Sequence, residues 1–158
     1  MVVPKKFDWS QFTLNIAIKA APSKVYKAWT DSKEICKWFA YDAEVEPKKG
    51  GKFSLTDIYG NSFDMQMLGA RKDSRIHFTF GMNDEQVEVK LKKSGRYTVC
   101  ELHQFNMKTS PNHKWDTHME QRAGWTFFLT NLKAWLEHGI DLRSHDDKWG
   151  YADNFVNS

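Results

Sequence analysis

The chain has 158 residues, 23 of them basic and 20 acidic, giving a net charge of +3 with 41% hydrophobic and 27% charged side chains. That length suits one domain burying roughly 70% of the surface its unfolded form exposes, and the composition excludes a disordered chain or a fibre. The near-balanced charge excludes an electrostatic nucleic-acid binder: the densest basic cluster, Lys90, Lys92 and Lys93, sits where a strand meets the Ser94-Gly95 turn and reads as a solvated strand end.

No apolar run reaches the roughly 18 residues of a membrane span, and MVVPKKFDWSQF holds no apolar signal core, so the reading is a cytoplasmic protein with no membrane role. Cys36 and Cys100 lie far apart with no metal-like spacing, which suits free thiols. The departure from ordinary usage is 7 Trp and 11 Phe. Such rings fill a bulky core or line shaped space.

In chain order, Phe12, Leu14, Ile16 and Ile18 alternate with polar or small residues, the period of a half-buried strand. Ala21-Pro22-Ser23 then opens a helix, because proline fits a first turn whose N–H has no partner. Thr30-Asp31-Ser32 offers a cap for a second short helix carrying Ile35, Trp38 and Phe39. From Ala43 to Asn106 the pattern is a run of strands divided by Gly50-Gly51, Gly60-Asn61, Asp73-Ser74, Gly81 to Asp84 and Ser94-Gly95.

A long helix closes the fold. Thr117 followed by Glu120 has the form of a capping box and Gly139 that of a left-handed cap, with Trp125, Phe128, Leu129, Leu132, Trp135 and Leu136 forming an apolar stripe between them. The tail from Asp141 is too polar for a core element, and its rings Trp149, Tyr151 and Phe155 are expected to dock on the surface.

This order of elements resembles the helix-grip fold, an α+β architecture in which a curved antiparallel sheet wraps a long C-terminal helix, of the START and birch-pollen-allergen-like (SRPBCC) superfamily. The segments AWTDSKEICKWFA (28–40), GGKFSL (50–55), RIHFTF (75–80), YTVCEL (97–102) and AGWTFFLTNLKAWLE (123–137) are similar to successive motifs of the family named for the C-terminal domain of the activator of heat-shock-protein-90 ATPase. The similarity spans about residues 10 to 140 of a single domain covering 1–158, with 141–158 as a surface tail. It implies an apolar pocket between sheet and helix, lipid-like or polyketide-like ligands, and no shared catalytic signature. Where related strands often carry a His after Leu102, this chain has Gln104, with His103 on the opposite face.

Alternation assigns the inward set as Phe53, Leu55, Met65, Met67, Ile76, Phe78, Phe80, Val87, Val89, Cys100, Leu102 and Gln104. Trp125 and Phe128 face them, and Trp38 and Phe39 stand at the pocket mouth. The candidate ligand-binding residues are Trp38, Phe39, Phe53, Leu55, Asp57, Met65, Met67, Phe78, Phe80, Val89, Cys100, Leu102, Gln104, Gly124, Trp125 and Phe128. Gly124 serves either close packing of a strand side chain or approach of a ligand. Asp57, if its strand keeps phase, and Gln104 are the polar members. An inward amide needs a hydrogen bond, from a ligand or a buried water.

No catalytic residue or metal ligand is assigned, and no cofactor is implied. His113 and His118 lack a zinc spacing and read as loop residues, Asp146 and Asp147 as a solvated pair, and the serines lack a nucleophile-elbow context. The reading favours a monomeric or homodimeric binding module for a hydrophobic small molecule. The alternatives are a partner-binding, co-chaperone-like domain anchored on Trp9, Trp115 and Trp149, and a cyclase- or hydratase-type enzyme acting through Asp57 or Gln104.

Overall fold

A computed structural model describes residues 6–81, 83–150 and 154–157, so Tyr151 and the first five residues lie outside the described part. The elements are β1 (Phe12–Ile18), α1 (Pro22–Thr30), α2 (Ser32–Ile35), β2 (Asp42–Val45), β3 (Lys52–Thr56), β4 (Ser62–Arg71), β5 (Arg75–Thr79), β6 (Gln86–Ser94), β7 (Tyr97–Phe105), a π-helical segment (His113–Met119) and α3 (Glu120–His138). The strands form one antiparallel sheet in the order β1-β7-β6-β5-β4-β3-β2. It is the curved sheet and long C-terminal helix of the helix-grip fold.

Side-chain alternation does the sorting that period-two patterning demands. Along β7, Thr98, Cys100, Leu102 and Gln104 are buried, while Glu101 and His103 lie on the outer face opposite Lys90 and Glu88 of β6. The register of β4 slips between Met67 and Gly69, a bulge that bends the strand. Asp31 caps α2 by accepting from the Lys33 and Glu34 N–H groups.

The stripe on α3 buries Trp125, Leu129, Leu132 and Leu136, and the helix packs on β1 and α1. Lys133 donates to the Ala17 carbonyl at 2.6 Å, and Glu137 accepts the Lys19 N–H at 2.7 Å. These bonds tie the helix to the edge strand. At the far end Gly139 takes φ 67°, and the N–H groups of Gly139 and Ile140 close on the Trp135 and Ala134 carbonyls, the left-handed cap expected there.

The expected capping box is not formed. The helical run starts upstream at Pro111 and continues unbroken through the π-helical segment, so Thr117 is helix interior and the free N–H groups lie a turn and more earlier. His113 and His118 are therefore helical rather than loop residues. His118 is 2% exposed, its Nδ1 donates to the Trp9 carbonyl at 3.0 Å, and the rings of Phe7, Trp9 and Phe12 stand edge-on around it.

The tail is more than a surface strap. Arg143, 9% exposed, donates to the carbonyls of Ala40 and Cys36 at 2.8 Å each and pairs with Asp141 at 2.8 Å. Buried Asn131 of α3 joins the same network through the Trp38 carbonyl, Asp141 and the Leu142 N–H. Beyond it, Tyr41 donates to Ser144, Tyr59 to the Asp147 carbonyl, and Trp149 stacks on Phe155. Among the described residues, no helix is long and apolar enough to cross a membrane.

Candidate functional site

The middle of the space between sheet and α3 is solid. Trp29 meets Trp38 edge-on at 4.7 Å and leans on Trp125 at 5.9 Å and Phe78 at 6.3 Å, and Phe53 closes on Phe78 at 4.7 Å. The Trp38 indole donates to the Ala28 carbonyl at 2.9 Å, so its polar atom is satisfied inside the core. Cys100 lies in this interior, where burial pushes its thiol up to about 12 and keeps it protonated and unreactive.

Toward the β2-β3-β4 end the helix and the bent sheet part, and a cleft of about 530 Å³ opens. Its walls come from Leu55, Phe63 and Met65 on the sheet and from Phe39 and Phe80, with Asp57 at the rim and Gln121 on the helix side. A second hollow of about 230 Å³ shares Phe39, Phe80 and Gln121 and extends along α3 past Gly124, Trp125 and Phe128. The shared residues make the two hollows one apolar groove.

Of the sequence-designated residues, Phe39, Leu55, Asp57, Met65, Phe80, Gly124, Trp125 and Phe128 come together along this groove. Trp38, Phe53, Met67, Phe78, Val89, Cys100, Leu102 and Gln104 are at most 1% exposed or lie wholly inside, in the packed core behind it. Trp38 thus stands behind Phe39 rather than at the mouth. Phe63 lines the cleft at 53% exposure, although it shares strand parity with the designated Met65. Gln121 was also passed over; its position one turn before Trp125 and two before Phe128 is the signal that places it on the same helix face.

Gly124 does not serve close packing. A Cβ built on it meets nothing within 4 Å, so the bare helix surface there faces the open groove. Gln104 is satisfied from within: its carbonyl accepts the Trp125 indole N–H at 2.9 Å, and its amide donates to Gln121. No ligand or water is required for it. Strand β3 ends at Thr56, so Asp57 is a turn residue, accepting from the N–H groups of Tyr59 and Asn61 and from the Asn61 amide at 2.9 Å each. Among the described residues, no group of three or more His, Cys, Asp or Glu side chains is placed to hold a metal ion.

Comparison with known proteins agrees with this fold. Solved structures with the same fold include the protein SSP2350 from Staphylococcus saprophyticus, at 19% identity over 85% of this chain and 96% of that one, with a TM-score of 0.74. The Aha1 dimer of Colwellia psychrerythraea is similar at 21% identity over 82% of this chain and 97% of that one, TM-score 0.71. CalU16 from Micromonospora echinospora is similar at 24% identity over 84% and 77% of the two chains, TM-score 0.67. Among curated proteins none matches the chain. The sequence profile described as activator of Hsp90 ATPase homolog 1-like protein matches residues 19–137, and the chain belongs to that family.

Proposed function

We propose that the chain acts as a single helix-grip domain that binds an apolar small molecule in the groove between Phe39, Phe80, Met65 and the bare face of α3. The observation that carries this reading is Gly124: a residue that costs on the order of 1 kcal/mol in a helix relative to alanine stands where no side chain of the protein needs the space. Around it the walls are aromatic and aliphatic, with Met65 an adaptable filler. Burial at about 25 cal/mol per Å² drives entry of a ring or acyl chain. A largely apolar lining with few polar groups is suited to holding such a body, and binding is the activity this reading assigns.

Titration with N-phenyl-1-naphthylamine, a neutral fluorophore that brightens in apolar surroundings, is expected to give saturable one-to-one binding, weakened in Phe63→Ala. A linear, unsaturable signal equal in both proteins rejects the reading. A second reading, docking of a protein partner as in co-chaperones, is favoured by Trp115, which stands 66% exposed on the π-helical segment. Trp115→Ala is then expected to abolish co-purification with an Hsp90-type chaperone while leaving fluorophore binding intact; retention equal to the unaltered chain refutes it.

A further inference from the structure

Beside the apolar groove lies a polar recess of about 250 Å³, and one buried carboxyl in it has no complete set of partners. Glu85 stands just before β6, its backbone carbonyl accepting the Phe80 N–H at 2.8 Å, and its side chain is 0% exposed. Oε2 receives a long hydrogen bond of 3.4 Å from the Gln121 amide, and Oε1 has no hydrogen-bond partner among the described residues. A buried carboxyl oxygen left this way has given up its water hydrogen bonds without replacing them.

The surroundings fit the carboxyl without a direct ion pair to it among the described residues. Gly81 takes φ +86°, and a Cβ there would overlap the Glu85 carboxylate, so glycine is required to seat it. Asp116 and Thr117 supply further acceptors around the recess. The neighbouring basic side chains make their hydrogen bonds elsewhere: Lys108 Nζ donates to Asn83 at 2.7 Å, and His113, which also lines the recess, has its Nδ1 paired with the Ser110 hydroxyl at 2.6 Å. The π-helical winding from His113 turns Asp116 and Thr117 toward the hairpin; such windings recur at functional sites.

Gly81 and Gln121 line both this recess and the large apolar cleft, so the two spaces adjoin. Gln121 also ends a directed chain, Trp125 to Gln104 to Gln121 to Glu85, in which every donor points toward the carboxyl. Burial raises the Glu85 carboxyl above the ordinary range, against the Gln121 hydrogen bond, the charges of His113 and Lys108, and the nearby Asn83 amide.

Resting on the groove reading above, we propose that the recess is the polar half of the ligand site and that Glu85 receives the ammonium of an amine whose apolar body lies in the groove. The Gln121 NH2 group, whose contact with the carboxyl is the long bond to Oε2, turns aside to admit the head group while its carbonyl stays with Gln104. A cation there fills the vacant acceptor and favours the charged form of the carboxyl against the cost of burial.

Calorimetric titration with 2-naphthylmethylamine, 2-naphthylmethanol and 2-naphthoate separates the head group from the shared apolar body. The amine is expected to bind at least about tenfold more tightly than the alcohol, with the carboxylate weakest, and Glu85→Gln to bring amine and alcohol together while Glu101→Gln, on the outer face of β7, keeps them apart. Equal binding of amine and alcohol by the unaltered protein overturns the assignment of Glu85 and leaves the apolar groove standing. Binding of the neutral fluorophore without binding of any naphthyl compound also overturns it alone. Failure of every probe removes both readings. The comparison within the unaltered protein decides the matter even if Glu85→Gln does not fold.

Discussion

Arg143→Ala is expected to lower the unfolding free energy by about 3 kcal/mol, the range for breaking a buried ion pair by removing one partner. The side chain is 6% exposed and its guanidinium spans the Cys36 and Ala40 carbonyls and the Asp141 carboxylate, so its loss takes a donor from two carbonyls and removes the charge paired with Asp141. Lys is expected to rescue little of this, because a single ammonium cannot reproduce the planar fork. Burial alone would raise Asp141, but the hydrogen bonds from Arg143 and Asn131 outweigh it and hold the carboxyl at about 2. A folded-state value below the ordinary one contributes stability that is complete above about pH 4 and drains away as pH falls toward 2. Urea denaturation at pH 7 and pH 3 checks both parts: the unaltered protein loses stability between them on this account, and Arg143→Ala loses less. An Arg143→Ala midpoint equal to that of the unaltered protein at pH 7 refutes the network's role.

Gly124→Phe is expected to weaken N-phenyl-1-naphthylamine binding by at least about 30-fold, equal to roughly 2 kcal/mol, with no loss of fold stability. The ring would occupy the hollow beside Phe39, Phe80 and Phe128, since a Cβ at this position meets nothing within 4 Å. Gly124→Ala separates the two properties of the site. It is expected to raise stability by about 1 kcal/mol through helix propensity and to change affinity little, because a methyl group takes only a small part of the groove. Unchanged fluorophore affinity in Gly124→Phe, with circular dichroism showing an intact helix, places the binding elsewhere.

The fold was legible because its signals are local and mutually consistent: alternation in β1 and β7, the Asp31 cap, turn glycines between strands and the left-handed Gly139. The start of the long helix was misread because Thr117 and Glu120 have the spacing of a cap, whereas Pro111 had already begun the helix upstream. The site was half legible. Strand parity separates inside from outside, yet nothing in it distinguishes an inward ring sealed in the core, such as Phe78, from one that lines open space, such as Phe80. That difference arises where sheet and helix part, a tertiary property created by the bulge in β4 and the length of α3. Arg143 and Glu85 escaped notice for a related reason. Charged residues in polar stretches read as solvated, and only the assembled chain reveals that the tail returns beneath α2 and that the β5–β6 hairpin closes against the helix.

One pairing carries a consequence for how the molecule is made. The first strand lies beside the last, Phe12 opposite Gln104 and Ile18 opposite Thr98, and both lean on a helix encoded later still. During synthesis β1 must therefore wait for about 80 further residues before its neighbour β7 is made. Such distant closure slows folding and lengthens the time an unpaired edge is displayed. A nascent chain stalled before Tyr97 would expose that edge and the greasy inner face of its sheet together, which makes it a natural client for a holding chaperone at the ribosome exit.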